Sequence, residues 1–170
     1  MVQPFIGYTI FIFSDLRFTK LRFTKMQKSI HKIYGPNLTS SPAACDTIIQ
    51  NLKDFNRKES DYDKIFTGDL GYVGQTILFD LMRKQERDIK PYHADCGILI
   101  FDQKTQATNA GGSGCGCAAV TLSSYILPKI ESGEWKRVLF VPTGALMSTV
   151  SYNEGESVPG IAHGIVLEHC

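Results

Sequence analysis

Arg137-Val138-Leu139-Phe140-Val141 is the stretch on which the architecture turns. Four apolar residues in succession leave no polar face, so this strand has to be covered on both sides. Such strands sit inside sheets that carry helices. Gly160 to Glu168 reads the same way, with Ile161, His163, Ile165 and Leu167 alternating against Ala162, Gly164 and Val166. Tyr62 to Asp69 reads as a short buried strand ending in a turn,. Helical spacing fills the intervals. Ser41 as cap and Pro42 as first helical residue open a helix from about 42 to 56, with Ala44, Ile48, Ile49, Leu52 and Phe55 on one face,. Val73, Ile77, Leu78, Leu81 and Met82 make a second, with basic residues near its end,. A third, about 114 to 132, carries Val120, Leu122, Tyr125, Ile126 and Ile130 and stops at Gly133,. Pro128 deletes one hydrogen bond in its last turns and is expected to bend or fray that end. The order of elements predicts an α/β layered sheet with helices covering it.

Ahead of the patterned region, residues 1–34 form a weakly specified leader, a strand-prone hairpin or a non-native extension. Leu16-Arg17-Phe18-Thr19-Lys20 recurs letter for letter as Leu21 to Lys25, too short a unit for a repeat architecture. Phe5 to Phe13 is apolar but far shorter than the ~20 residues that span a bilayer. With no basic region before it and no small-residue cleavage site after it, no signal peptide is expected. The domain proper is 35–170.

The 170 residues are 43% hydrophobic and 21% charged, an ordinary globular balance that argues against disorder throughout,. A net charge of +1, without a basic stripe, gives no footprint for nucleic acid,. The odd set Cys45, Cys96, Cys115, Cys117 and Cys170 lacks the spacing of a secreted disulfide framework and reads as reduced thiols of a cytosolic protein,. Cys115-Gly116-Cys117 has no second cysteine pair and no histidine at finger spacing, so no metal site is expected. His31, His93 and His169 read as surface residues, and Trp135 as a packing anchor.

Chemistry concentrates in Asn109-Ala110-Gly111-Gly112-Ser113-Gly114-Cys115-Gly116-Cys117. Glycine has no side chain to bury, so something approaches this backbone closely. Two readings stand. The loop amides and the start of the following helix suit a carboxylate or phosphate, or the glycines let a helix pack tightly onto a sheet.

Five blocks in order carry a family resemblance: Asp61 to Leu70, His93-Ala94-Asp95-Cys96-Gly97, Gly111 to Ala118, Val138 to Leu146, and Glu156 to Gly164. Together they resemble the C-terminal half of the stage V sporulation protein AD family, over about Gly35 to Cys170. The resemblance implies a three-layer α/β fold, the C-terminal half of a thiolase-like fold, with a mixed sheet of about five strands flanked by helices. It implies a non-catalytic sporulation protein that binds dipicolinic acid (pyridine-2,6-dicarboxylate) for uptake into the developing spore. It also places the protein in the cytoplasm, peripheral at the spore inner membrane. The implied partners are the dicarboxylate, other stage V sporulation membrane proteins, and a missing N-terminal half or a second copy.

By the same resemblance Asp95, Cys96 and His163 map to the ligand cavity. A planar dicarboxylate would be met by loop amides from Gly112 to Gly114, the hydroxyls of Ser113 and Thr143, and a protonated His163, at about 1.5 to 3 kcal/mol per charge-assisted bond. Asp95 repels a dianion unless a metal ion, calcium with the ligand, or a shared proton bridges them; its other reading is a turn aspartate holding local amides. A thiolase needs a histidine ahead of the glycine loop and a cysteine past the long strand. Here those places read Ile100-Phe101-Asp102 and Val141-Pro142-Thr143-Gly144. A thiolase-like acyltransferase using Cys96 or Cys115, and an inactive truncated remnant, remain the competing readings.

Overall fold

The computed structural model describes residues 16–23, 27–28, 36–145, 149–154 and 159–170. Phe5 to Phe13, His31, Leu146 and Glu156 to Val158 lie outside the described residues. The strands are β1 (Leu16–Phe23), β2 (Gln27–Lys28), β3 (Lys64–Thr67), β4 (His93–Asp95), β5 (Arg137–Val141), β6 (Thr143–Ala145) and β7 (Pro159–His169). The helices are α1 (Pro36–Asp54), α2 (Gly71–Arg83), α3 (Cys96–Ile100), α4 (Cys117–Thr121), α5 (Leu127–Glu131) and α6 (Thr149–Asn153).

The apolar run Arg137–Val141 is the middle strand of a mixed sheet ordered β4-β3-β5-β7-β1. β3 is parallel to β4 and β5, while β7 is antiparallel to β5 and β1. The first part of β7 also pairs with β2 and β6. This is the α/β class expected, with a five-strand path. Alternation along the strands divides the core in two. Ile65, Leu139, Val141, Ala162 and Val166 face one side, where Ala44, Ile48 and Leu52 of α1 and Leu78 and Met82 of α2 cover them. Phe66, Val138, Phe140 and Leu167 face the other, against Ile126 and Ile130.

Helix α1 starts earlier than Ser41, so Pro42 lies inside it and Ser41 is not its cap. Buried Ser41 fastens helices together instead: its Oγ donates to the Gly74 carbonyl of α2 at 2.9 Å. Ser40 Oγ donates to Gly144 O at 2.9 Å and Thr47 Oγ1 to Ala162 O at 3.0 Å, tying the same helix to the sheet.

The third expected helix runs from Cys117 to Glu131 as α4, a π-helical segment over Leu122–Ile126, and α5. Its buried residues are Cys117, Thr121, Ile126 and Ile130. A spacing of five between Thr121 and Ile126 is one too many for an α-turn, and the wider π turn absorbs it. The helix continues through Pro128 rather than fraying there.

The tandem pentapeptide lies largely in β1. Leu16, Arg17 and Phe18 pair with His169, Glu168 and Leu167, and after a register shift Leu21, Arg22 and Phe23 pair with Ile165, Gly164 and His163. Five residues on β1 thus match four on β7. The bulge turns an odd repeat into an even one, so both copies occupy register positions of the same parity. Among the described residues, no helix is long and apolar enough to cross a membrane.

Candidate functional site

Ligand crevices in open α/β sheets form beyond the carboxyl ends of the parallel strands, where successive connections leave on opposite faces. Here α2 links β3 to β4 on one face, and the α3-to-α5 segment links β4 to β5 on the other. The residues emerging at that end are Gly68-Asp69 after β3, Cys96-Gly97 after β4 and Pro142-Thr143 after β5.

Asp95 closes β4 and caps α3. It is buried, and its carboxylate accepts five hydrogen bonds from three segments. Thr67 Oγ1 (2.7 Å) and Leu70 N (3.0 Å) donate to Oδ2, while Gly71 N (3.2 Å), Gly97 N (3.1 Å) and Ile98 N (3.2 Å) donate to Oδ1. Burial pushes this carboxyl above its ordinary range, opposed by the Thr67 hydroxyl and the amides of Gly71, Leu70 and Ile98,. Chemically it is the knot between the β3–α2 turn and α3.

His93 extends that network. Its Nε2 lies 2.9 Å from Thr67 Oγ1, whose own proton goes to Asp95, so Nε2 carries the donor hydrogen,. The ring packs edge-on against Phe79, its centroid 5.1 Å away. His93 is therefore not the surface residue its sequence suggests. Burial first, and Lys64 second, lower its pKa to about 4. His169 is exposed, with Nδ1 2.7 Å from the Ile130 carbonyl.

Cys96 is fully buried. Burial pushes its thiol up to about 12, with a hydrogen bond to Thr121 pulling the other way and Asp95 and Cys117 adding to the rise. Cys117 is pushed up to about 11, first by burial and then by Asp69 and Asp95. Both thiols are protonated at neutral pH, the opposite of an activated nucleophile. Cys115 is exposed in the loop.

The glycine loop divides in two. Gly111, at φ +128°, lies against Gly71, where an added Cβ would stand 2.5 Å from the Gly71 Cα, and at Gly112 a Cβ would collide with the Phe101 ring. These are the close approaches its composition implies, and they are made by the chain itself. At Gly114 and Gly116 a Cβ would meet nothing within 4 Å. That open half already holds a carboxylate: Ser113 Oγ and Gly114 N donate to Asp69 Oδ2 at 2.5 and 2.9 Å. Gly97 is pressed between the Gly112 carbonyl and Asp69, a Cβ there standing 2.5 Å from the former and 3.2 Å from the latter's Cα. Asp69, Asp95, Cys96, Gly112, Ser113 and Gly114 are thus one neighbourhood.

Thr143, the first residue of β6, joins it, because a Cβ on Gly68 would collide with the Thr143 hydroxyl and stand 2.6 Å from its amide. His163 is half-buried on β7, one residue beyond the register partner of Thr143, and its amide donates to Pro142 O at 3.3 Å. It reaches the neighbourhood through Pro142 rather than through the loop. Beside the loop, Tyr72 and Ile98 to Lys104 line an open cleft of about 350 Å³. Sequence reasoning missed Asp69 and Thr67. The signal available was the Thr67-Gly68-Asp69 end of a buried strand, where turn carboxylates find amides. Among the described residues, no group of three or more His, Cys, Asp or Glu is placed to hold a metal ion.

Residues 34–168 match the family described as Stage V sporulation protein AD (SpoVAD). The chain is also similar to a curated protein of Bacillus subtilis (strain 168) named Stage V sporulation protein AD, at 45% identity over 128 residues. That match covers 75% of this chain and 38% of the relative, so the chain spans well under half of the relative's length.

Proposed function

The chain belongs to the stage V sporulation protein AD family and so to the proteins of sporulation, and we propose that it binds dipicolinic acid, a planar pyridine dicarboxylate, for uptake into the developing spore. The observation that supports this reading is the glycine loop with a carboxylate in it. Ser113 Oγ and Gly114 N grip Asp69 Oδ2 with the stereochemistry that an external carboxylate needs,, and the space around Gly114 is open. The hydroxyl of Thr143 and the ring of His163 complete the ligand set from the β5–β6 and β7 side.

Asp69 and Asp95 bear on the charge of the ligand. Two carboxylates beside a bare dianion repel it, whereas calcium carried by the dicarboxylate reverses that sign. Calcium belongs to this reading as cargo with the ligand. The site acts at the spore inner membrane, peripherally, with other stage V sporulation membrane proteins as docking partners. A second copy, or a separate chain supplying the remainder of the relative's length, completes the assembly.

An acyltransferase with Cys96 as its nucleophile would require a thiolate, and burial shifts Cys96 away from that form,.

Calorimetric titration with dipicolinate, with and without calcium, tests the proposal. Saturable heat that grows with calcium is expected. Absence of heat at millimolar ligand in both arms overturns it.

A further inference from the structure

We infer that Asp69 is a built-in competitor for the carboxylate seat at Ser113 and Gly114, and that an external carboxylate enters by displacing it. The inference rests on reading this loop as the dicarboxylate site. Two carboxylates share the neighbourhood and are held in very different ways. Asp95 is 2% exposed and takes five donors from β3, the β3–α2 turn and α3, so removing it from its place would orphan buried amides,. Asp69 is only half-buried, and its carboxylate takes two donors, both from one exposed stretch of loop. Its backbone is nonetheless fixed. Gly97 packs against its Cα, and the next two amides, of Leu70 and Gly71, are bound to Asp95.

The side chain is therefore delivered to the seat by a rigid turn but can rotate away from it, because water can take over both of its hydrogen bonds. The receiving residues can remain in place when it leaves. Gly111 is locked against Gly71, Tyr72 N donates to Ala110 O at 2.8 Å, and Cys117 N donates to Gly114 O at 2.9 Å. The seat exists with or without its occupant. A competitor tethered in this way lowers apparent affinity by the fraction of time that it occupies the seat.

The test follows the Gly114 amide by NMR in the full chain. The wild type, Asp69→Ala and Asp69→Asn are each titrated with pyridine-2,6-dicarboxylate and, separately, with acetate. Both probes should bind Asp69→Ala at least about fivefold more tightly than the wild type, with the Gly114 amide responding. Asp69→Asn retains an acceptor oxygen and the side-chain shape, so it should fall between them, and it carries the test if Asp69→Ala does not fold. Equal or weaker binding in the variants overturns the competitor, as does a Gly114 amide that responds to neither probe. If the dicarboxylate binds all three proteins alike while Gly114 stays still, the competitor falls and the proposed function stands. If acetate gains at Gly114 while the dicarboxylate binds none of them, the competitor stands and the proposed function falls.

Discussion

Removing the Asp95 carboxylate would leave the amides of Leu70, Gly71 and Ile98 and the Thr67 hydroxyl without their acceptor, while the Gly97 amide keeps the Gly68 carbonyl at 3.2 Å. Unpaired buried donors cost about 1 to 3 kcal/mol each before relaxation, so Asp95→Ala should destabilise the fold by about 3 kcal/mol or more, read from urea denaturation. Asp95→Asn, which keeps one acceptor oxygen, should cost less. A change under about 1 kcal/mol in Asp95→Ala would contradict the knot described here. His93 sets a pH dependence. Its pKa, lowered from 6.5 to about 4, means that the unfolded chain binds the proton first as pH falls,. Stability is then full above pH 6.5 and declines between about 6.5 and 4. The decline amounts to about 3 kcal/mol at one pKa unit per 1.36 kcal/mol, and His93→Gln should flatten that limb of the profile. The roles of these residues were only partly legible in the sequence. A turn aspartate bonding local amides was one reading of Asp95, and the amides of Gly97 and Ile98 are local. Leu70 and Gly71 lie on another strand's turn, and no one-dimensional pattern announces them. His93 read as exposed because the alternation that would bury it spans only three residues.

Helix phase is legible in the middle and end of α2, where the period is regular. Leu78 and Met82 of α2, four residues apart, both reach the core, whereas Val73, expected on the same face, is exposed in the first turn; the strands β5 and β7 lie where continuous and alternating apolar patterns put them. The register of the helix that starts at Cys117 was harder to read, because its inward residues are spaced four, five and four apart, and an apolar face averages over one extra residue without exposing it. Deleting Ser124 would restore spacings of four throughout, so this deletion should cost no more than about 1 kcal/mol. Deleting Thr76 from the regular α2 would throw Leu78 and Met82 out of phase and should cost several-fold more, comparable to losing buried side chains at about 2 to 5 kcal/mol each. Equal losses in the two deletions, measured by urea denaturation, would show that the π turn does not set the phase. The start of α1 was misplaced for a related reason. Ser-Pro is a strong opening signal, and the bond from Ser41 to Gly74 that occupies its hydroxyl is tertiary.

At the scale of the whole chain, the layered α/β arrangement was legible from two apolar strands and three helical faces, because a strand without a polar side admits few neighbours. What the completed surface touches was not legible. Val73, Leu99, Ile100, Val120, Tyr125 and Val150 are large apolar side chains left exposed, and a second copy or a complementary chain would cover such residues. Sedimentation of the purified chain over a hundredfold concentration range should show association. A single monomeric species throughout would contradict that part of the proposal. Trp135 is the sole tryptophan of the chain, its indole lying 5.5 Å from the Phe66 ring on β3 and 5.6 Å from Tyr125 in the π segment, with the Lys129 ammonium 5.2 Å from its centroid. Its fluorescence is therefore a natural optical gauge of whether the wide turn is seated on the sheet, and its emission should shift to the red as soon as that seating is lost.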